Sequence, residues 1–258
     1  MAWSEGQALS PSNLNNVSGI VFNVKDPKFG AVGDGVTDDT AAINAAFAAA
    51  QPLGNTVFFP AGVYGISSTI NIDKHVTFRG VESGTTNAGS EIKALSAVDP
   101  MLNITADDVG VQDLYFRGTG AGTGVYYNGT AAGLSACRAS NLVFMSLPIG
   151  LLVDKTIASI FENIRTNLGQ LRFRNGCTSI TIISCYPANV VGGSGFKFEN
   201  VRYLTLTGCA ADGNDRYGYE LDSSCESIVL TGCGAEVSGF GFCQTSGETI
   251  GIYNCFGF

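Results

Sequence analysis

The sequence predicts an all-β fold, a right-handed single-stranded parallel β-helix with an N-terminal capping α-helix. The first observation behind this is a phrase that recurs toward the C-terminus. Ser179-Ile180-Thr181-Ile182-Ile183-Ser184-Cys185 is answered by Tyr203-Leu204-Thr205-Leu206-Thr207-Gly208-Cys209, then by Ser227 to Cys233 and Thr249 to Cys255. The terminal cysteines lie 24, 24 and 22 residues apart, a period expected of stacked supersecondary units. The second is alternation inside each phrase, Leu204 with Leu206 and Ile228 with Leu230, which is strand periodicity. The third is a shorter strand in every unit: Leu171 to Arg174, Phe196 to Glu199, Tyr219 to Asp222. Short strands repeating at one period and joined by Gly-, Asn- and Ser-containing turns stack in register as a solenoid.

The elements follow in order. Residues 1–20 are polar and read as a leader or attachment segment, and residues 21–258 as the β-helix domain. Val21-Phe22-Asn23-Val24 is a short strand, and Phe29 to Gly35 a glycine-punctuated turn. Thr37-Asp38-Asp39-Thr40 opens an alanine-rich helix over about 38–50, with Ile43 and Phe47 on its apolar stripe. Laid across the open first coil, this helix buries an end that would otherwise expose a wet core. Thr56 to Tyr64 forms the first strand and corner, and strands recur irregularly through Val76, Val111 and Leu142 before the period settles near residue 150. The chain stops at Phe258 just after a core strand, so either the sequence is a fragment or another subunit or virion component is expected over that end.

Composition narrows the function classes. Gly is abundant at 34 residues, charged residues are scarce at 14%, and the net charge is −8. Phosphate contacts need Lys and Arg, so this acidic balance argues against nucleic acid as a partner. No stretch is long and apolar enough to insert into a bilayer, and the first residues lack a secretory signal pattern. There is no CxxC and His75 is the only histidine, so no metal cluster is expected. Cys185, Cys209, Cys233 and Cys255 occupy one position in successive coils and read as a ladder of reduced thiols filling an interior or corner slot.

Phe22 to Ile43, with Val57-Phe58-Phe59-Pro60-Ala61-Gly62-Val63-Tyr64, closely resembles the opening of the pectate-lyase-like superfamily. The resemblance covers roughly residues 22–80 and implies a right-handed parallel β-helix with an N-terminal capping helix. It implies that Asp34, Asp38 and Asp39 form a structural turn and cap. The superfamily holds polysaccharide lyases, glycoside hydrolases and phage tail proteins. The leader Trp3 to Asn16 is similar to phage tail-protein openings, which points to the tailspike or tail-fibre branch. That branch implies a homotrimer on the virion that recognises, and in some members depolymerises, bacterial surface polysaccharide, with residues 1–20 contacting other tail proteins. A non-enzymatic virion component and a soluble bacterial lyase or hydrolase are the alternatives.

Glycosidic cleavage uses two carboxylates, and the repeat offers a pair. Cys209-Ala210-Ala211-Asp212 matches Cys233-Gly234-Ala235-Glu236, so Asp212 and Glu236 are expected one coil apart on one face, as catalytic candidates. Asp215, Arg216 and Tyr217 follow as candidate substrate-binding residues. The competing reading leaves these carboxylates as solvated corner residues. No cofactor is expected, except calcium for a lyase, whose base could come from a strip of Arg172, Arg174, Lys197 and Arg202. Those four read equally as outward-facing strand residues. Tyr186, Tyr203, Tyr217, Tyr219 and Tyr253 supply either sugar-docking faces or interior stacks.

Overall fold

A computed structural model describes residues 21–82, 89–244 and 248–257; the leader expected over 1–20 and the terminal Phe258 lie outside them. One regular coil shows how the sequence builds the rest. A long strand, Arg202–Thr207, turns Leu204 and Leu206 inward and Thr205 and Thr207 outward. Gly208 then takes a left-handed conformation (φ 59°) and bends the chain into the short strand Ala210–Asp212. A turn over 213–216 leads into a third strand, Tyr217–Leu221, and a second turn begins the next coil.

Stacking these units gives an all-β parallel solenoid of about nine turns. Long strands pair with long strands, as Leu204 with Ile180 and Ile228, and short with short, as Asp212 with Glu236. Long and short strands together make one 18-stranded sheet, and the third strands make a separate 8-stranded sheet from Ile70–Ile72 to Phe240–Gln244.

From Asp113 onward the corner before each short strand is a left-handed position. Asp113, Asn141, Asn163, Ser184, Gly208, Gly232 and Asn254 hold it in successive coils, with φ between 48° and 61°. Asn and Asp tolerate that region because their short polar side chains bond locally. Here they also bond between coils, Asn163 Nδ2 to Asn141 Oδ1 and Asn141 Nδ2 to Asp113 Oδ1, each 2.8 Å. The next residue points inward: Leu114, Leu142 and Ile164, then Cys185, Cys209, Cys233 and Cys255. The expected thiol ladder is therefore present. Its cysteines are free, buried except for the half-buried Cys255, and directed at backbone carbonyls, as Cys209 Sγ to Thr207 O at 3.7 Å. Hydrogen bonding to the Cys185 thiol, with burial, pushes Cys209 up to about 12.

Aromatic rings fill the interior beneath the third strands. Tyr219 is buried between Phe196 and Phe242, with ring centroids 4.8 Å away on each side. It thereby belongs to the core rather than to any sugar-docking surface.

Helix α1 spans Thr40–Ala50, two residues shorter at its start than the sequence suggests. Ile43, Ala46, Phe47 and Ala50 are buried, and α1 lies against Val21–Asn23, Thr56–Phe58 and Ile70–Ile72, covering the first coil. The acidic cluster before it is spent on backbone. Asp39 accepts Val32 N (2.7 Å) and Gly33 N (3.1 Å), Asp38 accepts Thr40 N (3.0 Å), and Asp34 accepts Thr37 N (2.7 Å) and Val36 N (2.9 Å). Those amide donors hold Asp34 down at about 2. The structural reading of this cluster stands.

Candidate functional site: the short-strand face

The short strands present their first and third residues outward, and register stacks them into two rows. One row runs Tyr115, Val143, Arg165, Tyr186, Ala210, Gly234 and Phe256; the other runs Arg117, Met145, Asn167, Ala188, Asp212 and Glu236. Asp212 and Glu236 are direct partners in adjacent coils, as the repeat predicted. Strand neighbours lie about 4.8 Å apart, so the two carboxylates share one patch. Asp212 is half-buried and Glu236 exposed. Small residues beside them, Ala188, Ala210 and Gly234, keep the floor low, and the Phe256 ring lies over Gly234.

Tyr186 completes this patch from the preceding coil, its hydroxyl donating to Asp212 Oδ2 at 3.0 Å. Partial burial, that hydrogen bond and the negative charges of Asp212 and Glu236 all raise the Tyr186 phenol pKa. The sequence marked Tyr186 only as one of five tyrosines. Its place one coil before Asp212, just after Cys185, was the available signal.

The expected substrate-binding residues do not join the patch. Asp215 sits in the 213–216 turn, where its Oδ2 accepts Gly192 N at 2.7 Å. Arg216 turns toward the third strands, 5.3 Å over the Tyr217 ring and 4.0 Å from Glu220 Oε1. Tyr217 lies 5.7 Å from Phe240, which is 68% exposed. These residues form a separate aromatic ledge around the corner from the carboxylates. No hydrogen bond or ion pair among the described residues joins Arg216 to Asp212 or Glu236.

The candidate basic strip resolves into ion pairs. Arg172 is bidentate to Glu199 (2.6 and 3.0 Å), and Arg174 is bound to Asp154. Lys197 lies between Glu199 and Glu220 at 3.4 and 3.8 Å, and Arg202 meets Glu226 at 3.3 Å. These four are outward-facing, charge-neutralised strand residues, so they do not supply the free base of the lyase reading. Among the described residues no group of three or more His, Cys, Asp or Glu side chains could hold a metal ion. No helix among them is long and apolar enough to cross a membrane.

One cleft of about 500 Å³ opens on the corner that follows the short strands, lined by Gly118, Thr119, Ser146, Leu147, Leu168 and Val191 among others. None of its residues stood out in the sequence, because its shape comes from turns of unequal length in successive coils.

Known proteins match this architecture. Residues 21–113 match the family model described as rhamnogalacturonase A/epimerase, pectate lyase-like. The mannuronan C5-epimerase AlgE6 of Azotobacter vinelandii is 34% identical over 225 residues, 81% of this chain and 24% of its own length. The pre-neck appendage protein of Bacillus phage B103 is 27% identical over 228 residues, 81% of this chain and 26% of its own. The chain thus spans about a quarter of each relative. The tailspike of Acinetobacter phage vB_ApiP_P1 superposes with a TM-score of 0.66 at 13% identity, covering 91% of this chain and 49% of the tailspike. With the stacked coils and the capping helix, these likenesses identify the chain's fold as the right-handed parallel β-helix of pectate-lyase-like proteins, the architecture it shares with that tailspike.

Proposed function

We propose that this chain is the β-helix part of a phage tailspike or tail-fibre protein that recognises bacterial surface polysaccharide on its short-strand face. The observation that carries the reading is the projection of Tyr186, Asp212 and Glu236 from three consecutive coils over a floor of small residues. Carboxylates and a phenol offer acceptors and a donor to sugar hydroxyls, and an aromatic ring suits the apolar face of a pyranose. The phage appendage relative and the tailspike neighbour support the virion setting. In that setting the chain assembles as a homotrimer and residues 1–20 meet other tail proteins.

Depolymerisation is the second reading, and the adjacency of Asp212 and Glu236 favours it. A general acid and its carboxylate partner work from opposite sides of a glycosidic bond, at about 5–5.5 Å for retention or 6.5–9.5 Å for inversion.

The test incubates the protein with purified surface polysaccharides, following binding by surface plasmon resonance and chain length by gel filtration. Binding that weakens in Asp212→Asn and Glu236→Gln supports recognition. Shortening of the polymer that disappears in both variants adds hydrolysis. Absence of binding across the panel would end the polysaccharide reading, and a monomer by light scattering would end the trimer.

A further inference from the structure

The short-strand face is charged unevenly along the solenoid axis. Its anions, Asp212 and Glu236, occupy neighbouring coils. Two coils before Asp212 stands Arg165, the register partner of Tyr186 and exposed on its strand. The Arg165 guanidinium has no hydrogen bond or ion pair among the described residues. The other Arg of this face, Arg117, is committed to Glu91 through Nε at 2.7 Å and Nη2 at 3.2 Å. Arg172, Arg174 and Lys197 on the neighbouring sheet are likewise paired. Among the described residues, Arg165 is thus the arginine of this face without a carboxylate partner, next in register to Tyr186, whose hydroxyl binds Asp212; Lys93, the register partner of Arg117, is spent on the Gly35 carbonyl.

We infer that the bound polysaccharide is acidic, runs along the solenoid axis, and sets the carboxylate of one sugar on Arg165 and an uncharged sugar over Asp212 and Glu236. This rests on the polysaccharide reading above and deepens it. Coils rise about 4.8 Å each, close to the length one linked pyranose adds to an extended chain, so successive sugars meet successive coils. A uronate over Asp212 and Glu236 would face two like charges, whereas over Arg165 it gains a planar donor fork matched to a carboxylate. Tyr186 lies where the intervening sugar would rest. The face therefore reads charge order along the ligand, and Arg165 is the residue that sets the register.

The test uses bacterial surface polysaccharides that carry one uronate per repeating unit, each alongside its carboxyl-reduced form, with and without calcium. Wild-type protein should bind native polymers and lose about tenfold or more on reduction, the worth of one charge-assisted hydrogen bond. Arg165→Gln should bind native and reduced forms alike, at the level of wild type on the reduced form, with an unchanged circular dichroism melt. Arg165→Lys should restore part of the preference, and salt should weaken native binding selectively. Reduced polymers bound as tightly as native ones, or an Arg165→Gln loss equal for both, would overturn this inference while recognition itself stands. No binding of any polymer, in either calcium condition, would overturn the polysaccharide reading and this inference with it.

Discussion

Asp154 and Arg174 meet at two points one coil apart: Nε donates to Oδ1 at 2.6 Å and Nη2 to Oδ2 at 3.0 Å. The carboxylate is wholly buried, and Tyr126 Oη and Asn175 Nδ2 donate to it at 2.5 and 3.0 Å. Burial and the bond to Asp154 push the Tyr126 phenol up to about 12, and the same carboxylate raises the Arg174 guanidinium. This cluster clamps the third strands Thr123–Asn128, Ile149–Asp154 and Gln170–Arg174 in register.

Removing one side of that clamp leaves the other charge or its donors stranded. Asp154→Ala should destabilise the fold by about 3–5 kcal/mol, read from urea unfolding at neutral pH. A loss under about 1 kcal/mol, the range of exposed ion pairs, would mean the clamp is dispensable.

Tyr186 and Asp212 should reveal their contact by titration. In Asp212→Asn one neighbouring charge disappears, so the Tyr186 phenol should ionise at lower pH than in the parent. Selective ¹³C labelling of tyrosine with NMR titration measures this. An unmoved Tyr186 titration would show that the hydroxyl does not engage Asp212 in solution. Tyr186→Phe should weaken polysaccharide binding about two- to tenfold, the worth of a neutral hydrogen bond.

Alkaline pH should unfold the coil stack through its thiols. Burial pushes Cys137, Cys177 and Cys225 up to about 11, and hydrogen bonding to Cys185 with burial pushes Cys209 up to about 12. An unfolded thiol releases its proton near 8.5, so the unfolded state loses protons first. The stabilisation is complete below that value and drains away as pH climbs through about 11 to 12. Urea midpoints between pH 8 and 11.5 should fall steadily. A flat profile, or rapid labelling of Cys209 by a thiol reagent at pH 8, would contradict the buried ladder.

Gly232 tests the corner rule. Its φ is 61° and open space surrounds the position a Cβ would take, so only conformation opposes a side chain there. Gly232→Asn should be nearly neutral, since Asn141, Asn163 and Asn254 hold the same corner. Gly232→Val should cost about 1–2 kcal/mol. Equal stability of the two variants by thermal unfolding would refute a left-handed corner.

Legibility followed from what the repeat fixes. Asp212 and Glu236 were readable as neighbours because each lies three residues after its ladder cysteine. The regular coils were readable because Cys recurs in one slot. The earlier coils were not, because Leu114, Leu142 and Ile164 fill that slot and erase the visible period. Arg174 with Asp154, and Arg216 with Glu220, depend on turn length and on which way the chain leaves a corner. Arg216 was grouped with Asp212 by proximity in sequence, yet the 213–216 turn carries it around to the next face.

The αL corners also decide how the molecule bears load. Backbone hydrogen bonds between coils, such as Gly208 N to Thr231 O at 3.0 Å, point along the long axis. Each coil contributes strands in three directions, so the cross-section is braced like a triangular strut. Sideways force is shared among its three walls, while axial tension draws on every rung of a coil boundary together. Residues on one wall, Arg165 and Glu236 among them, therefore keep their spacing when the rod is pushed from the side. A ruler of charges carried on such a strut stays calibrated.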